Sequence, residues 1–163
     1  MKTVLRIAGI VVVLVVVLLV ILSITGLEPR DRTPGLWLKG DLVTTPVTDW
    51  SFTDEVNTVK VQTRTWYLIP HSVTTYCLCY NGQLYLDSFY RPGVEYPHGR
   101  SWNENVVRDP HVRIKIGDKL YDRTLAHVTD PAEKAALREL KAKKYPQLRI
   151  PPDPQVQLFR VIG

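Results

Sequence analysis

Residue types that often carry metal or redox chemistry are sparse in this chain, which has two cysteines and four histidines among 163 residues. Cys77 and Cys79 are two positions apart in a segment with strand character, so their Cα atoms should be about 6.5–7 Å apart on one face. That separation disfavours a disulfide and predicts two buried, apolar cysteines. No cysteine or histidine pair has zinc-site spacing, so we expect no bound metal. A nucleophile elbow and a glycine-rich phosphate loop are also missing, which argues against a conventional hydrolase.

A short helix is predicted after a loop rich in proline and glycine. Ser101 and Glu104 have the spacing of a capping box, so Ser101 should cap this helix and Asp109-Pro110 should end it. His71 follows Pro70 and is expected to face solvent from a loop, with donation to a ligand ring or acceptance of a proton as the alternative.

The other elements follow from apolar alternation and turn residues. Asn81-Gly82 between two β-prone segments predicts a tight hairpin, because both turn residues must adopt positive φ. In chain order we predict a strand over 56–69, hairpin strands 73–80 and 83–89, a loop over 90–100, the short helix, strands 111–116 and 119–128, a helix over 130–145 and a strand over 156–162. Five or six mostly antiparallel strands in about 110 residues predict a small β-barrel, mainly β with two helices.

A basic cluster closes the second predicted helix. Lys141, Lys143 and Lys144 fit the negative end of the helix dipole, with a membrane-surface or phosphate contact as the alternative. Elsewhere the basic residues are scattered, so the net charge of +5 does not indicate a nucleic-acid partner.

The amino-terminal segment is long enough to cross a bilayer as one helix. Sixteen apolar residues, Ile7–Leu22, follow Lys2 and Arg6, and no acidic residue precedes Glu28. A cleaved signal peptide is the alternative, but no small-residue cleavage site follows. Lys2 and Arg6 favour a cytoplasmic amino terminus, which places the domain on the non-cytoplasmic side of a single-pass cell-membrane protein. Arg30 and Arg32, on the other side of the apolar segment, favour the opposite orientation.

These observations divide the chain into a transmembrane anchor or signal-anchor (1–27), a linker rich in proline, glycine and charge (28–45) and one β-barrel domain (46–163). The part after the anchor has room for only one domain, which excludes a multidomain enzyme, a repeat array and a polytopic transporter.

Four sequence pieces between 62 and 146 together resemble a known family. They are Thr63-Arg64-Thr65 with Leu68-Ile69-Pro70, the hairpin segment from Gly82 to Ser88, the step Arg100-x-Trp102-x-x-Asn105 with Arg108-Asp109-Pro110-x-Val112, and the helix from Glu133 to Pro146. In order and spacing they resemble the flavin-binding split β-barrels, which include the pyridoxamine-phosphate-oxidase-like proteins and the deazaflavin-dependent nitroreductases. Two features depart from that family: the amino-terminal anchor, and the eleven-residue loop between Ser88 and Arg100, which breaks the compact phosphate clasp of the oxidases.

The resemblance implies a set of cofactor-binding residues. A flavin phosphate would be held by arginine and hydroxyl donors, and the ring would stack on aromatic side chains. The residues selected are Arg64, Trp66, Ser88, Arg100, Ser101 and Trp102, with Tyr67 as a further stacking candidate. The alternative is that the arginines are surface residues, that Ser101 only caps its helix and that the aromatic residues belong to the core.

Two functions remain open at this point. The first is a membrane-anchored oxidoreductase that binds FMN or a deazaflavin and reduces a small-molecule acceptor; no catalytic residue is assigned, because the cofactor carries the redox chemistry. Family members of this kind pair, so the resemblance implies a homodimer. The second is a non-enzymatic anchored binding or scaffold domain that has kept the barrel and lost the cofactor.

Overall fold

The computed structural model describes residues 2–163 of the chain, which contain three α-helices, a 3₁₀ turn and seven β-strands. The helices are α1 (Lys2–Thr25), α2 (Ser101–Arg108) and α3 (Pro131–Lys144), and the 3₁₀ turn is Ser51–Thr53. The strands are β1 (Asp41–Leu42), β2 (Thr58–Thr63), β3 (His71–Tyr80), β4 (Gln83–Phe89), β5 (His111–Ile116), β6 (Lys119–His127) and β7 (Val156–Ile162).

Strands β2 to β7 form a closed antiparallel barrel. Their order is β6-β5-β2-β3-β4-β7, and β7 pairs back onto β6 to close the ring. The two-residue strand β1 adds a parallel pair on β6. This confirms the predicted small barrel, mainly β with two helices besides the amino-terminal one.

Local turn chemistry sets the hairpin between β3 and β4. Asn81 and Gly82 have φ of 51° and 74°, as a two-residue turn of this type requires. Cys77 and Cys79 on β3 are free and buried, as predicted.

The first predicted strand is shorter than the sequence indicates. β2 ends at Thr63, which pairs with His71 at the start of β3, so the chain reverses direction between them. Leu68 has a positive φ of 67° in this turn, and the Thr65 hydroxyl donates to the carbonyl of Ile69. Pro70 has no N–H for a β-ladder, which is one physical reason why the strand does not continue through 69.

Helix α2 closes the end of the barrel where β2 and β4 finish. Its buried face carries Trp102 and Val106, which join the apolar interior formed by alternate residues of the strands. The Trp102 ring lies 5.2 Å from the ring of Phe159 on β7. The position of α2 is therefore fixed by the barrel core.

Helix α3 packs on the outside of the barrel over a second apolar cluster that includes Leu137. Its amino end is capped as predicted, with the Asp130 carboxylate accepting from the Glu133 N–H at 2.9 Å. Two of the three lysines at its other end face inward. Lys141 is fully buried and forms an ion pair with Asp87.

The three lysines lie in the last turn of α3, as predicted, and each has different partners. The Lys144 ammonium donates to the carbonyls of Thr53 and Cys77, at 2.9 and 3.1 Å. Lys143 is exposed and pairs with Glu139 one turn earlier.

Helix α1 has 24 residues, none of them buried, and is long and apolar enough to span a bilayer by length and composition. Met1, the first residue of the predicted anchor, lies outside the described residues. After α1 the chain runs back over the barrel surface. The Glu28 carboxylate accepts from Lys60 on β2 and Lys115 on β5, both at 2.5 Å, so the barrel is held within a few residues of the end of α1.

Candidate functional site

The amino end of α2 is held by buried polar contacts. Asn103 Oδ1 accepts from the hydroxyls of Ser88 and Tyr90, at 2.7 and 2.6 Å. Further along the helix, Asn105 Nδ2 donates to Thr63 Oγ1 at 3.0 Å. All three hydrogen bonds are buried, so they fix α2 against the ends of β2 and β4.

The predicted capping box is wrong in detail. Arg100 occupies the N-cap position with extended backbone and makes no capping bond, and Ser101 is the first helical residue. The Ser101 hydroxyl lies instead 3.2 Å from Nε2 of His71, and Glu104 accepts from the Gly99 N–H at 3.1 Å. The Ser101 hydroxyl therefore faces the site outside the helix.

His71 is the first residue of β3, so its predicted place on a loop is wrong. It is half-buried, and burial lowers the pKa of its imidazole. Because the ordinary pKa of histidine is already below 7, the ring is neutral at pH 7. A neutral imidazole can either donate to the Ser101 hydroxyl or accept from it.

Arg100, which precedes Ser101 in the chain, adds positive charge at the amino end of α2. Arg100 Nε donates to the carbonyl of Phe89 at 2.8 Å, which ties the guanidinium stem to the end of β4 while the residue stays exposed. In the first turn of α2 the N–H groups of Asn103 and Glu104 donate to the carbonyl of Arg100, at 2.9 and 3.1 Å, which leaves the N–H groups of Ser101 and Trp102 as available donors. Together with the Ser101 hydroxyl they form a donor set that suits a phosphate or another anion.

The structure brings only some of the six predicted site residues together. Ser88, Arg100, Ser101 and Trp102 all lie at the amino end of α2, but Ser88 and Trp102 are buried, with Trp102 6% exposed. Arg64 lies at the opposite end of α2, where its carbonyl accepts from Arg108 and its guanidinium is 3.5 Å from Asp109.

Trp66 lies on the turn between β2 and β3 and is 78% exposed, in edge-to-face contact with Tyr67 at 5.3 Å between ring centroids. Of the predicted aromatic residues, Trp66 and Tyr67 are therefore accessible to a ligand, whereas Trp102 is covered by the barrel core.

Arg64 lines a separate groove of 330 Å³ on the barrel surface. Arg113 and Asp122 form a two-point ion pair there, with nitrogen-to-oxygen distances of 2.7 and 2.8 Å. The hydrogen bond from Arg113 lowers the pKa of Asp122. Arg113 and Asp122 therefore neutralise each other, whereas Arg123, which also lines the groove, has no carboxylate partner among the described residues.

Sequence reasoning missed Asn103 and Tyr90, which connect α2 to the strand that carries Ser88. An asparagine in the first turn of a short helix is a weak signal, because asparagine often serves local turns and caps. Only the long-range contact to Ser88 and Tyr90 reveals its role.

Comparisons with known proteins identify the fold. No protein-family profile matches the sequence, and the search of curated proteins gives no match. A protein from Listeria innocua, provisionally named a pyridoxamine 5′-phosphate oxidase, has a similar structure with a TM-score of 0.51 and 18% identity over 69% of this chain and 87% of that chain. An F420 reductase aligns with a TM-score of 0.51 and 15% identity over 72% of this chain and 94% of that one.

A third similar structure is described as a domain-swapped dimer, with a TM-score of 0.52 and 22% identity over 65% of this chain and 80% of that chain. The fold is a split β-barrel. At these identities the similarity establishes the fold that the sequence resemblance implied, with the apolar helix α1 in front of it.

Proposed function

We propose that this protein is a membrane-anchored, oxidoreductase-like split β-barrel that binds FMN or a deazaflavin at the amino end of α2 and acts on a small-molecule acceptor. The observation that carries the proposal is the placement of Arg100, Ser101 and His71 at the amino end of α2, where the N–H groups of Ser101 and Trp102 are available as donors. Such a donor set fits the phosphate that these cofactors share.

In this proposal the residues have distinct roles. Arg100 and Ser101 bind the phosphate, and Ser88 acts through Asn103 to hold the helix that carries them. Trp66 and Tyr67 are the exposed aromatic residues on the neighbouring turn, where one of them can cover a ring system. A bound flavin or deazaflavin supplies the hydride chemistry, while the protein supplies orientation and charge.

A homodimer is part of the proposal. It is supported by the fold similarity to a structure described as a domain-swapped dimer and by the exposed aromatic residues on the turn between β2 and β3. The anchor is supported by the length and composition of α1, and the non-cytoplasmic placement of the barrel by Lys2 and Arg6 before the apolar segment.

One observation favours the second candidate, an anchored binding domain without cofactor. Trp102, which the resemblance assigns to the site, is buried against Phe159. If no other aromatic residue reaches the ring of a cofactor, phosphate contacts alone would have to hold it.

Substitution of the exposed arginines separates the two candidates. The full chain in detergent is titrated with FMN and with a deazaflavin, and binding is followed by cofactor fluorescence. Arg100→Gln is expected to weaken binding at least about tenfold, because it removes a charge-assisted contact of roughly 1.5–3 kcal/mol. Arg91→Gln is the matched control, since Arg91 is also exposed on the same loop and is given no role; it should bind like the parent chain. Equal binding by both variants would contradict the site, and no binding by the parent chain would favour the second candidate.

A further inference from the structure

Helix α1 leaves the barrel at the end that carries the turn between β5 and β6. Gly26, directly after α1, packs against the side chain of Lys39. Gly40 packs against the backbone of Asp118 in the β5–β6 turn, and the Asp41 N–H donates to the Asp118 carbonyl at 2.8 Å. The end of α1 therefore lies beside this turn.

The chain that follows α1 is fixed to the barrel surface. The Leu27 N–H donates to the carbonyl of Trp37 at 3.0 Å, and the Leu27 carbonyl accepts from Leu36 at 2.6 Å. The Glu28 carboxylate is held by two lysines of the barrel. Only Gly26 separates α1 from these contacts, so the barrel has little freedom to reorient relative to α1.

The contacts of this segment also show on which side of the barrel α1 projects. Gly26 lies beside Lys39, whereas the Leu27 carbonyl packs against Gly35. Gly35 exchanges two backbone hydrogen bonds with Ser72 near the start of β3, at 2.8 and 2.9 Å. The chain after Gly26 therefore runs toward the α2 end of the barrel. Because α1 precedes Gly26 and none of its residues is buried, α1 projects away from the barrel at the β5–β6 end.

The α2 end of the barrel is distant from this exit. Strand β5 runs from the α2 end to the β5–β6 turn, and its six residues span about 17 Å along the strand. With the usual strand tilt of about 35–45°, this corresponds to about 12–14 Å along the barrel axis.

The last turn of α1 accounts for the headgroup layer. The Gly26 N–H donates to the Leu22 carbonyl at 2.8 Å, so the helix rises about 6 Å between the end of the apolar segment and the barrel. A headgroup layer is about 5–8 Å thick on each side of the bilayer core. If α1 spans a bilayer, the donor set at the amino end of α2 therefore lies about 12 Å or more outside the headgroups, by the strand geometry of the barrel.

We infer that the barrel rests on the headgroups with its β5–β6 end and directs the amino end of α2 away from the bilayer. A small molecule that the donor set binds then arrives from the aqueous phase, and an acceptor held in the lipid is out of its reach. The orientation depends on the proposed anchor, and the consequence for the acceptor rests on the proposed function.

Short-range quenching by lipid tests the orientation. The full chain is reconstituted in phosphatidylcholine vesicles with or without a lipid that carries a nitroxide on its headgroup. Asp118→Cys and Arg91→Cys each place a bimane label at an exposed position, the first in the β5–β6 turn and the second on the loop before α2. Cys77 and Cys79 are buried, so the parent chain is the control for labelling and should take up no bimane.

The two labels should respond in opposite ways. The label at position 118 should lose most of its fluorescence to the nitroxide lipid, whereas the label at position 91 should keep it. Iodide, present on both sides of the bilayer, should quench the label at position 91, because that end of the barrel faces water.

Contrary results are distinguishable from one another. Lipid quenching at position 91, equal quenching at both positions or no quenching at position 118 would each overturn the orientation. A chain released from the vesicles by alkaline carbonate would contradict the anchor and the orientation with it. FMN and a deazaflavin are titrated against the same vesicles: if neither binds, the proposed cofactor site fails, whereas the orientation that the labels report is unaffected.

Discussion

Replacing Lys141 by methionine is expected to destabilise the barrel by about 3–5 kcal/mol, because it leaves the buried Asp87 carboxylate without its charged partner. Lys141 is 0% exposed and Asp87 3% exposed, so water reaches neither charge. The ammonium also lies 3.9 Å from the centroid of the Phe89 ring, which adds a cation–π contact that methionine cannot make. Removing one charge of such a pair is costly because the other stays in a medium of low polarity.

Removing both charges should cost much less. In Lys141→Met with Asp87→Leu no charge is stranded, and buried ion pairs replaced by apolar groups are often neutral in stability. We expect the double variant to recover at least half of the loss of the single variant. Lys143→Met is the control, because Lys143 is exposed and pairs only with Glu139 one turn earlier; it should change stability by less than about 0.5 kcal/mol.

Urea unfolding of the full chain in detergent, followed by tryptophan fluorescence, measures these differences. The reasoning is refuted if Lys141→Met unfolds within about 1 kcal/mol of the parent chain, since a stranded buried carboxylate costs more than that. It is also refuted if the double variant is no more stable than the single one, because the loss would then come from packing instead of charge.

Two further results are expected from the same unfolding assay. Burial opposes ionisation of Glu28, but hydrogen bonds from Lys115 and Lys60 outweigh it and lower its pKa to about 2. Since this folded-state pKa is below the ordinary value of 4.5, the stabilisation is complete above about pH 5 and is lost as the pH falls toward 2. After allowance for solvent screening, Glu28→Gln should cost about 1–2 kcal/mol at pH 7 and flatten the dependence of stability on pH between pH 5 and 2. An unchanged pH dependence would contradict a stabilising role for the contacts of Glu28 with the two lysines. Asn103→Leu should cost about 2–4 kcal/mol because it leaves two buried hydroxyls without their acceptor; a loss below about 1 kcal/mol would show that they find other partners.

Local signals in the sequence predicted much of the fold. The Asn81-Gly82 turn, the Asp130 cap of α3 and the alternation of β5 each depend on residues that are close in sequence. Such signals are reliable because turn and cap preferences arise from the backbone of a few residues.

The length of the first strand was not predictable in the same way. Tryptophan, tyrosine and isoleucine after Thr65 all favour strands, yet the pairing of Thr63 with His71 requires the chain to turn there. That pairing depends on the tertiary structure, so the strand propensities of these residues do not predict it.

Burial of Lys141 and the role of Asn103 also depend on distant partners. Lys141 meets Asp87, 54 positions earlier, and Asn103 meets Ser88, 15 positions earlier. A lysine in the last turn of a helix fits the helix dipole whether it is exposed or buried, so the sequence alone did not show that Lys141 is buried. Of the candidate site, the sequence selected Arg100 and Ser101 through the family resemblance, while the place of His71 beside Ser101 required the structure.

The central claim, that this split β-barrel holds a flavin-type cofactor at the amino end of α2, is tested most directly by equilibrium titration of the full chain. FMN and a deazaflavin are titrated separately against the purified protein in detergent, and cofactor fluorescence and visible absorption are recorded. The account predicts saturable binding of one cofactor, at one site per chain, that inorganic phosphate weakens. The claim would be contradicted if the fluorescence and absorption remained those of the free cofactor throughout both titrations.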